Sequence, residues 1–304
     1  MTSTSPTPHG RQDPAPAPAP TPAELAGRRG YRPRFLGPEV PLPLPVDPGI
    51  GTVVLRYTHF SVVFRPDRRL AAATAVAIDG HRLRDLPRED DRWRFDPRIP
   101  AGQQTGAPVY EHNTLDRGHL VRRLDPVWGG AAEALQANDD TFYLTNAAPQ
   151  SEEFNRGKLL WLGLESYLLD HAADSDRRLV VLSGPVLRAD DPPYRGVRIP
   201  LSFWKVTAFL TEEGELSSTA YLLDQSPDLS TAGPALAAAE AAGAVPPLGA
   251  YRTFQTPVSD IAALTGLDLG PLPAADRLRP GPVPEGAPPQ HRWTELSELD
   301  QIVF

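Results

Sequence analysis

Cysteine is absent from this chain of 304 residues, and methionine occurs once. Without thiols there is no disulfide framework, no thiolate zinc site, no iron–sulfur cluster and no cysteine nucleophile. The absence assigns no compartment, because exported proteins can also do without disulfides. Long apolar runs are missing too: nothing approaches the roughly 18 consecutive apolar residues that a membrane helix requires. The polar start MTSTSPTPHG has neither the basic n-region nor the apolar h-region of a secretory signal. These features predict a soluble chain with no membrane partner, with the cytoplasm favoured over export by a non-classical route. Basic residues are outnumbered, 30 Lys and Arg against 38 Asp and Glu, for a formal charge of −8. That balance argues weakly against a whole-surface affinity for nucleic acid, whose phosphates favour basic partners.

Proline is what the chain has in excess. Of its 36 prolines, 13 fall in residues 1–48 and seven in 271–289. Residues 1–27 alternate Pro with Ala, Thr and Ser, which removes backbone donors and offers no apolar period, so a disordered, partly polyproline II tail is expected there. Residues 28–304 are read as a single domain, with Tyr31, Phe35 and Leu36 strapping an irregular lead-in onto it. Strand signals dominate that domain: TVVLRYTHFSVVFRP, LAAATAVAIDG and RRLVVLSGP are β-branched runs closed by Pro or Gly. VRIPLSFWKVTAFLT and SSTAYLLDQ continue the pattern, with a hairpin through EEGE. LLWLGLESYLLDHAADS reads as a helix, as does PVSDIAALTG with Thr256 as N-cap and Gly266 as the stop. Strands and helices interleave without a regular βαβ rhythm, which favours an α+β fold.

The middle of the chain carries the chemistry. No GxSxG elbow, GxGxxG turn, Walker A loop, HExxH pair or EF-hand loop is present. Residues 110–125 instead read YEHNTLDRGHLVRRLD, and TFYLTNAAPQSEEFNRG follows at 141–157. A lone histidine is more often structural than catalytic, and a lone asparagine usually caps or turns the chain. His59, alternating with apolar neighbours, is read as such a buried structural histidine. The combination says more. An imidazole able to act as a base near neutrality, an adjacent arginine and hard amide oxygens form a kit for hydrolysing a phosphodiester with a hard divalent cation.

DRGH at 116–119, followed by TNAAPQ, FNRG and a helix containing Glu165, resembles the DNA/RNA non-specific endonuclease family, the sugar-nonspecific ββα-metal or His-Me finger nucleases. The pieces RYTHFSVVF, AVAIDG, LSGPVL, YRGVRIPLSFWKV and FQTPVSDIAALTGLD extend the resemblance over roughly residues 30–304. It implies a ββα-metal fold with a central, mainly antiparallel sheet flanked by helices. It also implies Mg²⁺-dependent hydrolysis of DNA and RNA with little sequence preference, leaving 5′-phosphate ends, with Mn²⁺ or another divalent cation as substitutes. By the same resemblance His119 is the general base, Arg117 clamps the scissile phosphate and Asn155 is the direct metal ligand. Glu165 then holds metal-bound waters, Asn146 fixes the geometry and Asp116 is structural.

Arg92 and Arg94 are the candidates for a further phosphate-binding arginine, and Arg122 and Arg123 for lining the substrate groove. Ten positions separate Asn155 from Glu165, about 15 Å along a straight helix, so the chain is expected to fold back between them, with Gly157 as the break. An inhibitor protein is a further candidate partner, since a non-specific nuclease endangers the cell that makes it. The alternative reading is a catalytically weak nucleic-acid or protein interaction module on the same fold.

Overall fold

The computed structural model describes residues 20–87, 92–151, 177–227, 229–249, 251–278, 292–298 and 301–303. In chain order the strands are β1 (Leu44–Pro45), β2 (Val53–Arg56), β3 (Phe60–Arg65), β4 (Leu70–Asp79), β5 (Leu115–His119), β6 (Ala147–Ser151) and β7 (Arg178–Pro185). They continue with β8 (Pro193–Tyr194), β9 (Val197–Arg198), β10 (Ser202–Leu210), β11 (Leu216–Asp224), β12 (Arg252–Thr256), β13 (Leu267–Asp268) and β14 (Thr294–Leu296). Four described α-helices accompany them: α1 (Pro22–Ala26), α2 (Ala131–Asp140), α3 (Leu229–Ala242) and α4 (Val258–Thr265). None is long and apolar enough to cross a membrane.

An eight-stranded sheet in the order β14-β12-β11-β10-β7-β4-β3-β2 forms the centre, with every pairing antiparallel. The run LAAATAVAID has small and β-branched residues almost throughout because β4 is buried along all 10 positions, with packed layers on both sides of the sheet. Phe60, Val76, Val181 and Phe203 point into one apolar layer. Val63, Ala75, Val180 and Trp204 point into the other, beneath Tyr31, Phe35, Leu36 and α4. Leu120, Val121 and Ala148 belong to the first layer, so the β5–β6 hairpin lies on that face.

Local sequence accounts for the element ends with small adjustments. TVVLRYTHFSVVFRP is two strands rather than one, turning through Tyr57–His59, with His59 at φ 67°. The EEGE hairpin joins β10 to β11, where Leu210 opposes Leu216. Gly266 ends α4 in the left-handed conformation at φ 63°, while the N-cap is Pro257, one residue beyond Thr256. Residues 20–27, the described end of the segment expected to be tail, contribute to the fold. Thr21 and Glu24 make a reciprocal capping box at the start of α1, and Leu25 is buried in the first apolar layer.

Helix α2 is fastened to the β2–β3 turn by polar groups at successive turns of one face. Asp140 Oδ2 accepts from Thr58 N at 2.9 Å, Thr58 Oγ1 at 2.8 Å and Arg28 Nε at 2.9 Å. Glu133 Oε1 lies 3.0 Å from His59 Nε2, and the His59 ring stacks on Trp128 with centroids 3.4 Å apart. His59 thus holds a structural position between β3 and α2.

Candidate active site

The LDRGH segment forms β5 and pairs antiparallel with β6, AAPQS, placing His119 opposite Ala147, Arg117 opposite Pro149 and Asp116 opposite Gln150. Side chains alternate along a strand, so Arg117 and His119 share one face and Asp116 and Gly118 the other. A β-carbon on Gly118 would run into the Gln150 side chain, whose Cγ would lie only 2.7 Å away. The glycine of DRGH is therefore required by the close approach of the glutamine of NAAPQ, which is itself buried. Two sequence motifs about 30 residues apart are a single packing unit.

Asn146 locks the chain just beyond His119. It is fully buried. Its Oδ1 accepts from Val121 N at 2.9 Å, and its Nδ2 donates to Val121 O and Thr141 O, both at 3.0 Å. Leu120 N donates to the Asn146 carbonyl at 2.9 Å, and Ser183 Oγ of the central sheet donates to Leu120 O at 2.8 Å. The neighbouring Thr145 joins a second buried network: Tyr57 OH lies 2.6 Å from Thr145 Oγ1 and donates to Asp96 Oδ2 at 2.5 Å. Arg98 Nη2 also donates to Asp96 Oδ2, at 2.6 Å. Burial, and then the Asp96 charge, push the Tyr57 phenol well above its ordinary range.

His119 is half-buried and sits among aromatic rings. Trp93 lies 4.5 Å from it between centroids at a 45° tilt, and Phe142 lies 5.1 Å away, edge-on at 82°. The Arg117 guanidinium lies 4.8 Å over the Tyr110 ring. Among the described residues Arg117 Nε is buried without a hydrogen-bond partner. Burial pushes the Tyr110 phenol up, with the Arg117 charge opposing. Arg117 is thus seated over an aromatic face, on the same side of β5 as His119.

The other arginines divide by their partners. Arg94 donates through Nη2 to Asp139 O at 2.6 Å and lies 4.7 Å over the Tyr143 ring, so it is committed to the fold. Arg92 is exposed and Arg122 half-buried. Arg123 Nη1 donates to Leu86 O at 3.2 Å and Asn138 Oδ1 at 3.0 Å. Asn155, Gly157 and Glu165 lie outside the described residues. Among the described residues no group of three His, Asp or Glu side chains is placed to hold a metal ion. Reasoning from residue types did not single out Trp93, Phe142 or Gln150. Trp93 stands in the DRWRFDP segment, and the other two flank Asn146 in TFYLTNAAPQ, so their nearness to the motif residues was the available signal.

A β-hairpin bearing Arg117 and His119 on one face, laid against a large antiparallel sheet, has a counterpart among solved structures. The crystal structure of the EndoG/EndoGI complex superposes with a TM-score of 0.52 at 18% identity, covering 71% of this chain and 84% of that one. The fold is that of a ββα-metal nuclease. Residues 45–276, more than half of the chain, match the model of the DNA/RNA non-specific endonuclease family, and the protein belongs to that family. The protein y4fB of Sinorhizobium fredii is 48% identical over 218 residues, which are 66% of this chain and 33% of that protein. Human mitochondrial endonuclease G is 27% identical over 193 residues, 59% of this chain and 62% of that protein. Nuclease C1 of Cunninghamella echinulata is 25% identical over the same length. The chain therefore spans a third of the first of these relatives and less than two thirds of the second.

Proposed function

We propose that the protein is a divalent-metal-dependent endonuclease that hydrolyses phosphodiester bonds of DNA and RNA with little sequence preference. The observation that carries this reading is the pairing of Arg117 and His119 on one face of β5, in a chain of this family. His119 acts as the general base that takes a proton from the attacking water, a step suited to a group that titrates near neutrality. Arg117, pre-oriented on Tyr110, holds the scissile phosphate through the planar fork of its guanidinium. Asn146 acts indirectly, by holding residues 120–121 and so the end of β5. Arg92 and Arg122 supply further positive charge along the nucleic acid, whereas Arg94 contributes through the fold. Contacts to phosphate carry little sequence information, which fits broad substrate use.

The chain's donors are oxygens and imidazoles, with no thiolate, a set that fits a hard cation such as Mg²⁺. Asn155 would hold the ion directly and Glu165 through water. The bound cation would stabilise negative charge on the phosphorane and on the leaving 3′ oxygen. The products would then carry 5′-phosphate ends. The neighbouring EndoG structure is a complex with EndoGI that addresses EndoG inhibition, which supports looking for an inhibitor protein here.

The test is cleavage of plasmid DNA and of RNA by the purified chain. Mg²⁺ should support both, EDTA should stop both, and His119→Ala should remove most activity while keeping a cooperative melt. Full activity in a folded His119→Ala variant would overturn the mechanism.

A further inference from the structure

His119, Trp93 and Phe142 form a closed triangle of rings. The centroids are 4.5 Å apart for Trp93 and His119, 5.1 Å for His119 and Phe142, and 5.5 Å for Trp93 and Phe142. The two larger rings come from segments tied to one another: Arg94 N donates to Phe142 O at 3.0 Å, and Leu144 N donates to Arg94 O at 2.9 Å. The Arg94 side chain adds its bond to Asp139 O and its seat on Tyr143. His119 arrives separately, on β5, and enters a bracket whose walls are already joined.

We propose that Trp93 is a positioning residue that holds the His119 imidazole in its working orientation. A histidine on a strand can turn about both side-chain torsions, and a base that must meet one water in one direction loses rate when it turns. The indole meets one side of the imidazole and Phe142 meets it edge-on, an arrangement favoured by the ring quadrupoles. Neither Trp93 nor Phe142 carries a charge for phosphate, so loss of the bracket acts on turnover more than on substrate binding. The proposal rests on His119 being the base, and it goes beyond that assignment by naming what orients it.

The test compares wild type, Trp93→Phe, Trp93→Leu and His119→Ala with a fluorogenic oligonucleotide and Mg²⁺. It also reads the His119 ring-proton resonances, assigned by their loss in His119→Ala, in protein without substrate. Trp93→Leu should lower kcat about 10- to 100-fold with KM within about twofold, while Trp93→Phe, which keeps a ring, stays within about threefold of wild type. The His119 resonances should move downfield in Trp93→Leu as the indole ring current is lost. If the leucine variant melts below the assay temperature, Trp93→Met is read in its place with the same expected result. Unchanged kcat, a loss confined to KM, or unmoved His119 resonances would each overturn the proposal. Full activity in His119→Ala would instead remove the base assignment, and the substrate-free resonances would still report whether the Trp93 indole lies against the imidazole.

Discussion

Replacing Asn146 by aspartate changes almost no volume, yet it should be among the most damaging substitutions in the protein. The side chain has no exposed surface, and its amide nitrogen donates to two carbonyls, Val121 O and Thr141 O. In the aspartate variant one oxygen still accepts from Val121 N, while the other faces two acceptors. Ionisation there is opposed both by burial and by the carbonyl dipoles, which raises the carboxyl pKa in the folded state. A raised folded pKa contributes stability that is present below the unfolded value of about 3.9 and is lost as pH rises through the folded value. Each unit of that shift removes about 1.4 kcal/mol at neutral pH. Asn146→Ala leaves Val121 N and the two carbonyls short of partners at about 1–3 kcal/mol per buried group, or about 3–9 kcal/mol together, against a typical domain stability of about 5–15 kcal/mol. Urea unfolding of wild type, Asn146→Ala and Asn146→Asp at pH 4.5 and pH 8 measures this. The aspartate variant should be at least as unstable as the alanine one at pH 8 and recover part of the loss at pH 4.5. An aspartate variant as stable as wild type at pH 8 would refute the reading of Asn146 as the lock on residues 120–121.

Gly118→Ala should destabilise by about 1–3 kcal/mol through overpacking against Gln150, and Gly118→Ala/Gln150→Ala should recover part of that loss in thermal melts. Tyr57→Phe should cost about 1–3 kcal/mol at neutral pH by removing the short donor to buried Asp96. Because the folded Tyr57 pKa is raised, wild-type stability should fall as pH rises past about 10, and the phenylalanine variant should lose less over that interval. Leu25→Ala should cost about 2–5 kcal/mol by emptying the site that α1 fills, and a truncation starting at residue 20 should melt above one starting at residue 28. Without a divalent cation, binding to DNA should be weak and fall steeply with added salt, as fluorescence anisotropy can measure. Tight metal-free binding at physiological salt would contradict what the −8 formal charge implies.

The sequence by itself determined the class of the protein: strand periods, turn residues and the DRGH, TNAAPQ and FNRG segments are local features, and local features survive in a linear reading. The DRGH segment also singled out Arg117 and His119, whereas their place on one face of a strand followed only from the pairing of β5 with β6. What the tertiary structure decided is everything that depends on contacts between distant segments. Arg92 and Arg94 look alike in DRWRFDP, but only Arg94 meets Asp139 O and the Tyr143 ring. Leu25 stands in a proline-rich stretch of low apolar content, and its burial depends on a pocket built by residues elsewhere in the chain. The aromatic bracket around His119 joins residues 93, 119 and 142, and no period or spacing announces it. Backbone propensity acts over a few residues, whereas packing selects partners across the whole chain, so His119 stood out in the sequence as the candidate base and its surroundings emerged only in the fold.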